Sequence, residues 1–207
     1  MLRSLGVVLG KDTKAERVFD SLYPSFLEVS YHKPSEYIEK YWHKYQAQAE
    51  KSNSLNGKIF EYILATLCVR EGLLPLYLEA KVAFVPNVEY DLMLYTKERG
   101  PICLSAKTTL RERYKQADLE SIALKYVHRK ALSYLITLSV DEAKSVQQKI
   151  KSGDVIGLDD VIVATSNQFD DLVASLKEYK LEEPPTVQVI QSTQVVTQAK
   201  LASILSC

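Results

Sequence analysis

Three side chains in one stretch of the sequence have the chemistry to hydrolyse a phosphodiester: Asp91, Lys107 and Glu120. That reaction uses carboxylates to hold one or two divalent ions, which polarise the phosphate and lower the pKa of a bound water, and a lysine to position the water or offset developing charge. The stretch from Glu89 to Glu120 supplies all three on neighbouring elements. Apolar runs at Leu92 to Tyr95 and Ile102 to Leu104 flank the charged turn Lys97 to Pro101, the pattern of a β-hairpin. Alternation puts Asp91, Met93 and Tyr95 on one face of the first strand, and Cys103, Ser105 and Lys107 on one face of the second. The acid and the lysine can therefore meet. The period then turns helical over Leu110 to Lys130, with Glu120 on the stripe of Ala117, Ala123, Leu124 and Val127. From spacing alone the same residues also fit a plain reading, an Asp that begins a strand and a Lys that ends one.

The elements around this stretch follow from periodicity. Thr13 to Leu22 and Ser35 to Glu50 read as helices; Tyr37, Ile38, Tyr41, Trp42 and Tyr45 form an aromatic stripe on the second, expected to pack on the core rather than to contact DNA or a second subunit. After a polar break at Lys51 to Asn56, a strong helix over Asn56 to Gly72 carries Glu61 on the border of its apolar stripe, where by itself it reads as a solvated glutamate. Leu76 to Val85 is a strand ahead of the hairpin, Tyr134 to Val140 a buried strand, Asp141 to Lys151 a helix, Val161 to Ala164 a strand and Asn167 to Tyr179 a helix. The order is αβββαβ followed by α, β and α. Glu182 to Pro185 reads as a hinge, and Val187 to Cys207 as either a strand plus helix or a loosely docked tail.

Composition sets broader bounds. A chain of 207 residues that is 46% hydrophobic can bury one sizeable core, so a single domain is expected, with an N-terminal helical segment (1–53), a central core (54–180) and a C-terminal extension (181–207). No apolar run approaches the roughly 18 to 20 residues that span a bilayer, and the apolar part of the N-terminus is too short for a signal peptide, so a soluble, intracellular protein is expected. Cys68, Cys103 and Cys207 lie far apart and read as buried or incidental thiols. The 26 basic and 26 acidic residues cancel, which argues against coating of nucleic acid by overall charge. A local basic face remains, because Lys107 to Lys130 holds seven Lys/Arg against three acids.

Taken together, the helix with Glu61, then Asp91, the hairpin and Ser105-Ala106-Lys107 resemble the PD-(D/E)xK nuclease superfamily, whose fold is a mixed sheet in αβββαβ order flanked by helices. Two positions depart from its motif: Tyr90 stands in place of the proline and Ser105 in place of the second acid. In the latter respect the chain is similar to the branch of type II restriction endonucleases that contains NgoMIV, SsoII, PspGI and EcoRII. There a small residue occupies that position and a glutamate on the following helix supplies the carboxylate, about as far downstream as Glu120. The same branch has an Arg-(Asp/Glu)-Arg element after its lysine, which Arg111-Glu112-Arg113 resembles. An arginine fork can donate to O6 and N7 of guanine and a carboxylate can accept from N4 of cytosine, so the triplet suits adjacent C·G pairs. Thr109 to Glu112 equally fits a capping box, with Glu112 merely closing a helix N-terminus.

The resemblance spans Asn56 to Thr165, about half the chain. It implies that Asp91 and Glu120, with the carbonyl of Ala106, are Mg²⁺ ligands, that Lys107 is the catalytic lysine, that Glu61 is the helix acid near a second metal, and that Arg111, Glu112 and Arg113 bind DNA. It further implies a type II restriction enzyme of the bacterial or archaeal cytoplasm that cuts double-stranded DNA at a palindrome with CC and GG half-sites. A palindrome favours a homodimer, and a cognate methyltransferase is implied by the resemblance as well. Two alternatives stay open: a non-specific or structure-specific repair or recombination nuclease of the same fold, and a non-catalytic DNA-binding protein whose acids and lysine form an ion network.

Overall fold

The computed structural model describes residues 1–9, 13–49, 51–184, 190–192 and 194–206. Its centre is a helix that is apolar on nearly every side. This helix, α4 (Asn53–Arg70), buries the consecutive run Tyr62 to Val69 because it is enclosed by the sheet on one side and by α2 (Lys14–Leu22) and α3 (Pro34–Gln46) on the other. It starts earlier than its periodicity predicts: Ser52 caps it by accepting from Leu55 N at 3.1 Å, which turns most of the expected polar break into helix. The aromatic stripe of α3 packs on the core as expected, with Tyr37, Tyr41 and Tyr45 buried and Phe19 of α2 stacked on Tyr41 at 5.0 Å.

Three strands follow α4, namely β1 (Leu76–Val82), β2 (Tyr90–Thr96) and β3 (Gly100–Lys107), each antiparallel to the next. The β2–β3 hairpin is the expected one, and Gly100 closes its turn at a φ of 79°. β1 ends three residues short of its predicted limit because Phe84 and Asn87 adopt left-handed conformations, with φ of 65° and 62°, that turn the chain out of the sheet. Helix α5 (Arg113–Val127) crosses over to β4 (Leu132–Thr137), which runs parallel to β3. The predicted strand reached Val140, but Ser139 takes the cap position and Val140, followed by Asp141 and Glu142, begins α6 (Val140–Ser152). β5 (Asp160–Val163) pairs parallel to β4, and α7 (Asn167–Lys177) returns to the α4 side. The mixed sheet has the order β5-β4-β3-β2-β1, the αβββαβ core, with α4 and α7 over one face and α5 over the other.

The C-terminal segment resolves to strands plus a helix. β6 (Ile190–Gln191) and β7 (Gln194–Val196) both pair with the outer edge of β1, and α8 (Gln198–Leu205) packs against α1 (Leu2–Leu5). Val196 and Leu201 join the main core, so this extension completes the sheet edge. Within the expected hinge, Glu182 N donates to Tyr95 O at 3.1 Å, while Pro185 and Cys207 lie outside the described residues. Among the described residues no helix is long and apolar enough to cross a membrane.

Candidate active site

Asp91 is the second residue of β2 and Lys107 the last of β3. The register that pairs Leu92 with Leu104 carries Asp91 to the level of Ser105, one pleat from Lys107. One carboxylate oxygen, Oδ2, accepts from Lys107 Nζ at 2.7 Å and from Ala106 N at 2.8 Å. The two side chains are 19% and 27% exposed, so the pair is shielded but still open to solvent on one side. The other oxygen, Oδ1, has no hydrogen-bond partner among the described residues.

Glu61 reaches the same place from the sheet-facing side of α4. It is not a solvated glutamate: burial, and secondly the like charge of Asp91, push its carboxyl above the usual range, while Lys58 and Lys107 oppose the shift. Lys58 Nζ lies 2.8 Å from Glu61 Oε2 and 2.7 Å from Glu79 Oε1. Desolvation disfavours the ammonium, but these two carboxylates outweigh it and hold its pKa above the ordinary lysine value. Lys58, Glu61, Ala106, Lys107, Arg113 and Gln116 line one open cleft of about 540 Å³.

Glu120 is half-buried on α5. Its carboxylate accepts from Gln116 Nε2 at 2.7 Å, and its backbone carbonyl accepts from the Tyr90 hydroxyl at 3.1 Å. A bond of 2.6 Å between the Ser121 and Ser133 hydroxyls ties the next turn of α5 to β4. The structure thus brings Asp91, Ala106, Lys107 and Glu61 together and leaves the Glu120 carboxylate on Gln116, a neighbour in the cleft wall. No group of three or more His, Cys, Asp or Glu side chains forms a ready metal cage among the described residues. Burial pushes the Cys103 thiol of β3 up to about 12, and likewise that of Cys68, which lies in the apolar core between α4 and α7.

The Arg111-Glu112-Arg113 triplet is exposed on the same rim, and both arginines line a second cleft of about 350 Å³ with Trp42, Asn53 and Asn56. The expected helix start at Leu110 is corrected, because α5 begins at Arg113. Glu112 occupies the cap position without a side-chain cap hydrogen bond and instead pairs with Lys115. The capping-box reading therefore fails. In the loop that leads into α5, Glu142 of α6 accepts from Leu110 N at 2.8 Å and Arg111 N at 3.0 Å and so holds Arg111 at a left-handed φ of 41°. These backbone hydrogen bonds keep the Glu142 carboxyl below its usual range. Neither guanidinium is taken up by an ion pair among the described residues. The basic face is smaller than the sequence suggests, however, since Lys125 is bound to Asp159 at 2.8 Å and Lys107 to Asp91.

Lys58, Glu79, Gln194 and Glu142 belong to no motif in the sequence. Only Lys58 had a local signal, three residues before Glu61 on one helix face; the others act across 21, 115 and 31 or more residues of sequence.

No protein-family model and no curated protein is matched by this sequence. The fold is similar to that of restriction endonuclease PspGI in its complex with substrate DNA, with a TM-score of 0.57 over 86% of this chain and 88% of that one, at 15% sequence identity. The chain has a restriction-endonuclease-like fold, a mixed sheet flanked by helices with the αβββαβ core.

Proposed function

We propose that this protein is a metal-dependent endonuclease that cuts duplex DNA at a specific site, as a type II restriction enzyme does. The observation that carries this reading is the grouping of Asp91, Lys107, the Ala106 backbone and half-buried Glu61 beside one open cleft at the ends of the central strands β2 and β3 of a restriction-endonuclease-like sheet. The donor set suits Mg²⁺, a hard ion that retains several waters and needs only one or two carboxylates. Asp91 Oδ1 has no partner among the described residues, and the mutual repulsion of Asp91 and Glu61 is what a bound cation relieves. Asp91 and Glu61 would hold the ion with the Ala106 carbonyl, and Glu120 is proposed to join them by leaving Gln116. When bound, the ion supplies a polarised phosphate and a more acidic water.

The chain's own groups account for the rest. Lys107 offers its ammonium to the scissile phosphate or to the attacking water, and Asp91 fixes that ammonium at the strand end. Arg111 and Arg113 are proposed to fork onto guanines and Glu112 to accept from cytosine N4, which gives CC and GG half-sites. A palindrome read in this way calls for a homodimer. The reading also carries the bacterial or archaeal cytoplasm as its setting and a methyltransferase that protects the host's own sites.

Incubation of supercoiled plasmid with the protein and Mg²⁺ tests the proposal. Discrete fragments whose ends map to sites with CC and GG are expected. A smear would assign a non-specific nuclease of this fold, and intact plasmid despite binding would assign a non-catalytic DNA-binding protein.

A further inference from the structure

Lys58 sits between two carboxylates, and one of them is anchored by the far end of the chain. Glu79 Oε1 accepts from Lys58 at 2.7 Å, and its other oxygen, Oε2, accepts from Gln194 Nε2 at 2.9 Å. An unbroken polar chain therefore runs from β7 through Glu79 and Lys58 to Glu61 in the cleft. The backbone is bent to make it. Glu79 has a φ of 47° in the middle of β1, a left-handed conformation that is strained for a non-glycine residue and persists only where its surroundings hold it. At that residue β1 changes face: Leu76 and Leu78 belong to the core under α4, Ala80 and Val82 to the core under α5. Glu79 is left between the stretches of β1 that pair with β7 and with β6, with its carboxylate toward Lys58.

We propose that Lys58 is the resident cation of the candidate site, holding Glu61 in place until a divalent ion binds, and that Glu79, anchored by Gln194, then receives it. The division of Lys58 between Glu61 and Glu79 sets the affinity for the ion. This inference rests on the divalent-ion reading given above. An ammonium 2.8 Å from Glu61 both occupies a lone pair of the carboxylate and repels an incoming cation. With Glu79 on its other side, the ammonium leaves Glu61 without losing a counter-charge, and its 40% exposure gives it room to move. Glu79 and Gln194 are in this sense positioning residues, and they make the C-terminal strand a part of the site.

Titration calorimetry with Mn²⁺ on the full chain tests this, using wild type, Glu79→Gln, Lys58→Met and the double variant, each checked for an unchanged circular dichroism spectrum. Glu79→Gln leaves Lys58 wholly on Glu61 and should weaken Mn²⁺ binding roughly three- to ten-fold, the size expected for moving one unit charge a few ångströms near a protein surface. Lys58→Met should not weaken binding, and in its background Glu79→Gln should have no further effect. Gln194→Leu should act in the same direction as Glu79→Gln, and no change there overturns the part assigned to β7. Equal weakening by Glu79→Gln with and without Lys58 overturns the relay, as does a Glu79→Gln protein that binds like wild type. If wild type itself takes up no Mn²⁺, the divalent-ion reading falls and the relay with it.

Discussion

Asp91→Ala, compared with Asp91→Asn, separates the structural work of this carboxylate from its chemical work. The alanine variant strips the acceptor from Ala106 N–H and the counter-ion from Lys107 at a place where both side chains of the pair are mostly buried. A buried donor left without a partner costs about 1 to 3 kcal/mol. The ion pair adds little to this, since desolvation offsets much of its attraction, and loss of the Asp91 charge eases the repulsion on Glu61. The net loss of about 1 to 3 kcal/mol corresponds, in a chain of this size, to a drop of roughly 3 to 10 °C in Tm. Asparagine is isosteric and keeps an acceptor for Ala106 N–H, so Asp91→Asn should retain most of that stability. Both variants should lose on the order of a thousand-fold or more in Mg²⁺-dependent plasmid cleavage, because neither keeps the charge that the chemistry requires. Fluorescence anisotropy with duplex DNA and Ca²⁺ should show binding largely intact. Wild-type cleavage by Asp91→Asn would remove Asp91 from the chemistry, and an unchanged melting temperature for Asp91→Ala would mean that these contacts do not secure the strand ends.

Arg111→Ala and Arg113→Ala should each lose about 1 to 3 kcal/mol of discrimination at one base pair, measured by competition binding against substituted sites, whereas Arg129→Ala should weaken binding to all sequences and flatten the salt dependence. Glu112→Gln should leave the melting temperature unchanged, since Glu112 makes no cap hydrogen bond, and should abolish CC selectivity in a cleavage assay. His128 gives a pH signature: its Nε2 is buried without a partner among the described residues, and burial holds the imidazole below its ordinary value of 6.5. The unfolded chain takes up that proton first, so stability should be full above about 6.5 and fall as the pH drops below it. Thermal melts of His128→Phe over the same range should show a shallower acid loss. Sedimentation equilibrium at micromolar concentration should show at least a dimer, and a monomer both free and on cognate DNA would contradict the palindrome scheme.

Much of the fold was legible in the sequence because its signals are local. The hairpin around Gly100, the apolar period of α4 and the order αβββαβ depend on alternation, helical spacing and turn chemistry within short windows. The meeting of Asp91 with Lys107 was legible for the same reason, since a tight hairpin sets its own register. Element ends were less so: the Ser52 cap starts α4 where apolar periodicity suggested a break, and α6 starts at Val140, ahead of Asp141 and Glu142, where it suggested a strand. What only the tertiary structure decided are relations between distant segments. Glu61 alone reads as a surface residue, and it is half-buried in the cleft between α4 and the end of β3, where burial and the charge of Asp91 raise its carboxyl. Glu112 fits a capping box in sequence but makes no cap hydrogen bond, and the loop before α5 is held by Glu142 from another helix. The C-terminal segment has weak local preferences, and it becomes β6 and β7 through the open edge of β1, which offers backbone hydrogen bonds that no local pattern encodes. The link from Gln194 through Glu79 and Lys58 to Glu61 arises in the same way, from a strand pairing that closes over more than a hundred residues of chain and brings polar side chains within hydrogen-bonding reach.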